Sequence, residues 1–78
     1  MQLSERDEFS VYWWDAHGMQ HEELRFVGAE AAVRAAKRLT TGPASTFAVQ
    51  RVIITDSDDF CCFEWRDGRI TYDGRELP

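Results

Sequence analysis

Gly28-Ala-Glu-Ala-Ala-Val-Arg-Ala-Ala-Lys-Arg-Leu39 carries the chain's helical repeat, and the fold follows from there being one such stretch. Ala29, Ala32, Val33, Ala36 and Leu39 recur at the spacing of one helical face. Glu30, Arg34, Lys37, Arg38 and Thr41 line the opposite face, with Glu30 and Arg34 four apart in the favourable order. Glu30 in the first turn and Lys37 and Arg38 near the last complement the helix dipole. Gly42 and Pro43 then stop the repeat, so the spacing predicts a helix over 29–41. Its apolar stripe is mostly alanine. Such a stripe has little bulk, so the helix must lie close against large side chains from a sheet, and Phe9, Val11 and Trp13 are the natural partners.

Working outward, the residues on both sides alternate as strands do. Phe9-Ser-Val-Tyr-Trp-Trp14 is β-branched and aromatic, with Phe9, Val11 and Trp13 on one face and Ser10, Tyr12 and Trp14 on the other. Asp15-Ala-His-Gly18 reads as a turn, and Gln20 to Val27 as the returning strand of a hairpin. There, strict alternation places Glu22, Leu24 and Phe26 on one face and His21, Glu23, Arg25 and Val27 on the other. After the helix, strands are predicted over Phe47–Thr55 and Phe60–Trp65, separated by Asp56-Ser-Asp-Asp59. Asp67-Gly68 signals a tight hairpin into a short last strand around Ile70 and Tyr72. The element order is β-β-α-β-β-β. It makes one α+β domain over residues 1–78, with polar ends at 1–8 and 73–78.

If the third strand pairs with the first, all neighbours are antiparallel and the spatial order is 2-1-3-4-5. That order puts the most aromatic strand inside and leaves the second strand, with His21, Glu22, Glu23 and Arg25, as a charged edge. Pairing of the second and third strands is the alternative. One helix of ~20 Å, at ~1.5 Å per residue, covers one face of such a sheet. The other face then carries Tyr12, Trp14, Val27 and Ile53 among Ser10, Arg25, Arg51, Thr55, Glu64 and Thr71. An apolar centre with a charged rim marks an interface, whereas aromatic residues resting half-exposed on their neighbours serve stability alone. The interface reading is the one carried forward, with Tyr12, Trp14 and Ile53 as contacts and Arg25 and Arg51 as rim.

The composition narrows the classes of function. A chain of 78 residues with 44% hydrophobic and 13% aromatic residues is a folded domain rather than a disordered segment. A formal net charge of -5 disfavours phosphate backbones and anionic lipid as partners. The charged residues Glu5, Arg6, Asp7 and Glu8 do not suit a signal peptide, and no apolar run nears the ~20 residues of a membrane span. A cytoplasmic location is the expectation. Cys61 and Cys62 are adjacent, so in a strand they point to opposite faces and do not bridge one another; reduced packing thiols are expected.

The candidate chemistries are each incomplete. Asp15, His17 and His21 hint at a metal, but H-x3-H aligns imidazoles on a helix and this segment is a turn. Asp56, Asp58, Asp59 and Glu64 resemble the start of a calcium loop, yet Phe60, Cys61 and Asp67 occupy its fifth, sixth and twelfth positions. A nucleophilic Cys61 or Cys62 lacks local basic neighbours, and Glu64 raises a thiol pKa rather than lowering it. Glu22 and Glu23 point to opposite faces of their strand, and the five glycines are scattered, with no phosphate-binding loop. No catalytic residue, metal or cofactor is expected. A second reading remains: Tyr12, Trp14, Arg25, Arg51 and Arg69 could stack and hold single-stranded nucleic acid, against the acidic balance and the carboxylates Glu23 and Glu64.

Phe9-Ser-Val-Tyr-Trp-Trp-Asp15 before a glycine turn, the helix Gly28–Leu39, and Arg51-Val-Ile-Ile-Thr-Asp56 with Phe63-Glu-Trp65 together resemble small uncharacterised bacterial proteins built as hairpin, helix, hairpin. The resemblance spans most of the chain. It implies the fold and a bacterial origin and brings no catalytic residues; the strand after Asp67-Gly68 is an addition to the simplest pattern. The resulting expectation is a non-catalytic protein-interaction module that homodimerises through its open sheet face.

Overall fold

The computed structural model describes residues 7–42 and 48–74. Five strands and a helix follow one another as β1 (Phe9–Asp15), β2 (Gln20–Val27), α1 (Ala29–Thr41), β3 (Val49–Thr55), β4 (Cys61–Arg66) and β5 (Arg69–Asp73). The strands form one antiparallel sheet in the order β2-β1-β3-β4-β5. The fold is therefore α+β with the strand order expected from the chain. Phe47, read as the first residue of the third strand, lies outside the described residues. Asp73, read as part of a polar tail, ends β5 in register with Phe63 and is buried.

The alanine stripe explains how α1 sits. Ala32, Ala35 and Ala36 are buried, while Ala29 and Leu39 are partly buried and pack against the same core. Ala35, absent from the expected stripe, belongs to it because positions 32, 35, 36 and 39 follow the i, i+3, i+4, i+7 rule. Val33 is half-buried beside it. With only methyl groups in the way, the helix packs on β3, β1 and β2. It buries Phe9, Val11, Val52 and Ile54 almost completely. Each such side chain contributes roughly 1.5–3 kcal/mol of transfer free energy. Phe63 and Trp65 extend the core onto β4.

The helix ends without a left-handed cap. Gly42 has φ -73°, and in the last turn Thr40 Oγ1 donates back to the Ala36 carbonyl at 2.9 Å and Thr41 Oγ1 to that of Lys37 at 2.6 Å.

Strict alternation fails in β2. Phe9 is opposite Val27, Val11 opposite Leu24 and Tyr12 opposite Glu22, so β2 carries an extra residue on each side of the Val11–Leu24 pair. Two expectations are corrected by these bulges. Val27, expected on the open face, packs against the core under the helix. Phe26, expected beside Leu24, is 57% exposed and adopts φ 54°. A left-handed phenylalanine costs on the order of 1–3 kcal/mol. Its freed N–H is taken up by Ser10 Oγ at 3.2 Å. A third expectation is corrected beside it: Ser10, expected among the open-face polar residues, is buried, as is its register partner Thr55.

The first and third strand connections repeat one construction. Asp15 Oδ1 accepts from the N–H groups of His17 and Met19, and Asp56 Oδ1 from those of Asp58 and Phe60. In each loop the fourth residue is left-handed, Gly18 at φ 82° and Asp59 at φ 64°. This is the three-residue hairpin loop with its left-handed closing position. Asp67 and Gly68, both with positive φ, make the tight two-residue turn between β4 and β5.

Candidate functional site

Direct cross-strand partners share a face of the sheet, so the register defines the surface opposite the helix. Its middle row runs Glu22–Tyr12–Ile53–Glu64–Tyr72 across all five strands. A second row runs Gln20–Trp14–Arg51–Arg66–Arg69. Four of the five residues expected to form the interaction face, Tyr12, Trp14, Arg51 and Ile53, stand together at its centre, each half-buried. Arg25 stands apart in the bulged edge strand. Its Nε is 3.9 Å from Glu22, and its guanidinium lies 5.0 Å from the centre of the Phe26 ring.

Arg51 is the hub. Its guanidinium lies 4.4 Å from the centre of the Trp14 ring, and its Nε donates to Glu64 Oε2 at 2.6 Å. Arg66 Nη2 approaches the same oxygen at 3.4 Å, and Thr71 Oγ1 donates to the other carboxylate oxygen at 2.8 Å. The Thr71 hydroxyl, followed by Arg51 and Arg66, holds the Glu64 carboxyl below the usual range, against the opposing effect of partial burial. The carboxylate thus stays ionised and fixes Arg51 over the indole. Between Trp14, Arg51, Arg66 and the turn residues Gly18 and Asp67 lies a shallow hollow of about 250 Å³.

Tyr72, 43% exposed, and Arg66 were not named from the sequence as members of this face. Counting back from the Asp67-Gly68 turn would have found Arg66, because the turn sets Arg66 opposite Arg69. Tyr72 has no such signal, since a bulge at Thr71 decides its register. Arg69, proposed for a nucleic-acid platform, continues the Arg51–Arg66 row.

The other candidate chemistries resolve locally. His21 Nε2 is 2.9 Å from Asp15 Oδ2, and its ring stacks on Trp13 at 4.1 Å. That hydrogen bond, with those from Met19 and His17, lowers the Asp15 pKa to about 2. Among the described residues no group of three His, Cys, Asp or Glu side chains is placed to hold a metal ion. Asp56 is occupied with its own loop. Neither cysteine is in a disulfide. Burial pushes the Cys61 thiol up, with Glu64 adding to the shift, and Cys61 Sγ donates to the Phe63 carbonyl at 3.3 Å. A protonated, bonded thiol is a poor nucleophile. Among the described residues no helix is long and apolar enough to cross a membrane.

No protein-family model, curated protein or solved structure matches the chain.

Proposed function

We propose that this domain is a non-catalytic protein-interaction module that pairs with a second copy of itself through the open sheet face. The observation that carries the reading is the registered row Tyr12–Ile53–Glu64–Tyr72, over which no helix lies among the described residues. Half-exposed Tyr12, Trp14 and Ile53 supply apolar contact area, and Arg51 and Glu64 supply a polar frame already fixed before binding. Rigid aromatic groups in a pre-set frame lose little entropy on association. Five strands about 4.8 Å apart make a face of roughly 500 Å², comparable with what each partner of a small interface contributes. A domain of this length also buries a limited share of its surface, so pairing adds to its stability. On this proposal, the resemblance to small bacterial hairpin–helix–hairpin proteins and the acidic composition favour a bacterial cytoplasm.

Light scattering at high micromolar concentration tests the reading. The expected mass is twice 9.0 kDa. Trp14→Ser, which removes the ring and releases Arg51, should yield monomers. A wild-type monomer at that concentration would overturn the proposal.

A second reading has one observation in its favour: Trp14 shares a registered row with Arg51, Arg66 and Arg69, as a single-stranded nucleic-acid platform requires. Against it, Arg51 covers one face of the Trp14 ring, and Glu64 engages both Arg51 and Arg66. Oligonucleotides at low salt should then leave tryptophan fluorescence unchanged; salt-sensitive quenching would favour this alternative.

A further inference from the structure

The middle row of the open face is complementary to its own reverse. Read from β2 to β5 it is Glu22, Tyr12, Ile53, Glu64, Tyr72, and β3 is the central strand of five. Ile53 therefore sits at the middle of the middle strand. A two-fold axis in the plane of the interface and parallel to β3 stacks a second copy with its strands in opposite order. Ile53 then meets Ile53 of the second copy. Tyr12 faces the Glu64 carboxylate of the second copy, and Tyr72 faces Glu22. In the next row, Trp14 faces Arg66 of the second copy. Every off-axis contact occurs twice, as an isologous interface requires.

The other in-plane axis, perpendicular to the strands, gives a different set. It lays Glu64 on Glu64, each matched by its own Arg51, and Glu22 on Glu22, whose nearest cation, Arg25, is 3.9 Å away; the like-charge contact of the two Glu22 carboxylates is the cost of that stacking. Arg51 falls near the axis in the first arrangement, but each Arg51 is already matched by its own Glu64 at 2.6 Å. Aligned sheets cross at about 30°, so the overlay holds best beside β3, where Ile53, Tyr12 and Glu64 lie.

Resting on the reading of this face as a self-association surface, we infer that the occupant of the face is a second copy of the chain related by a two-fold axis along β3, with Ile53 on the axis and Tyr12 against Glu64. The pairs are tyrosine hydroxyl to carboxylate and indole to guanidinium, flanking one apolar contact. The recognition is thus largely polar outside its centre, and it discriminates against the perpendicular stacking by charge.

Charge complementation separates this geometry from the looser claim of dimerisation. Ile53→Lys and Ile53→Glu each place two like charges on the axis and should be monomeric by light scattering. Mixed in equal amounts, they should recover a mass of twice 9.0 kDa. Tyr12→Lys faces a carboxylate and should remain dimeric, whereas Tyr12→Glu should dissociate at least about tenfold more readily, a difference of about 1.4 kcal/mol. Circular dichroism confirms that each variant is folded. A dimeric wild type whose Ile53 variants stay dimeric, or whose mixture stays monomeric, overturns the axis and leaves the self-association reading intact. Equal loss in both Tyr12 variants, restored on mixing them, identifies the perpendicular axis and likewise overturns the inference. A monomeric wild type overturns both.

Discussion

Arg51 is held between an indole and a carboxylate: its guanidinium lies 4.4 Å from the Trp14 ring centre, and its Nε is 2.6 Å from Glu64. The three residues come from β1, β3 and β4, so this contact ties adjacent strands on the face the helix leaves open. The side chains of Arg51 and Glu64 are 32% and 19% exposed, which places the pair between a surface ion pair and a buried one.

Replacing Glu64 with Gln should therefore cost roughly 1 kcal/mol, through a half-buried guanidinium left without its counter-charge. In a domain of this size that lowers the melting temperature by about 4–8 °C. Thermal unfolding of Glu64→Gln, Arg51→Met and the double variant gives the coupling. The double variant should lose less than the sum of the two single changes.

The repeated loop predicts opposite effects at matching positions. Gly18→Ala should destabilise by about 1 kcal/mol, because φ 82° strains any side chain even though a Cβ there meets no atom within 4 Å. Asp59→Gly puts glycine where the first loop already uses it and relieves the strain of φ 64°. It should be neutral or stabilising by up to about 1 kcal/mol in urea unfolding.

Asp15 gives the acid behaviour a sign. Its pKa falls from an ordinary 3.8 to about 2 on folding, chiefly through the hydrogen bond with His21. The associated stability is complete above the unfolded value of 3.8 and is lost as the pH falls toward about 2. The same sense holds for Glu64. Asp15→Asn should flatten the decline in stability between pH 4 and about 2, measured by urea unfolding at each pH. It should also loosen the β1–β2 turn, seen as faster amide exchange at His17 and Met19, whose N–H groups bond to Asp15 Oδ1.

At the core, Ile54→Ala should cost about 2–5 kcal/mol, since Ile54 is fully buried beneath the helix. That is a large part of the stability of so small a domain, and circular dichroism should find the variant partly or wholly unfolded at 37 °C.

Cys61 should alkylate slowly at neutral pH. Its thiol is raised by burial and bonded to the Phe63 carbonyl. Iodoacetamide should modify it more slowly than a small free thiol, with the rate rising on denaturation. Rapid native labelling would restore the case for thiol chemistry.

The periodicity of residues 29–41 and the aromatic alternation of Phe9–Trp14 were enough to determine one helix and a hairpin on each side of it, and they favoured the pairing of β1 with β3 that the structure then selected over β2 with β3. Those features depend on local repeat and on which faces must be buried, and both are written in residue order. Tyr12, Trp14, Arg51 and Ile53 were legible as one surface for the same reason. The tertiary structure alone decided the path of β2, where bulges turn Val27 inward and Phe26 outward. It also decided the register of β5, where one extra residue brings both Thr71 and Tyr72 to Glu64. A bulge resolves competition between two strands for hydrogen bonds and space, so neither strand's own residues announce it. The clamp on Arg51 has the same origin, because its three members are distant in sequence and meet only when three strands lie side by side.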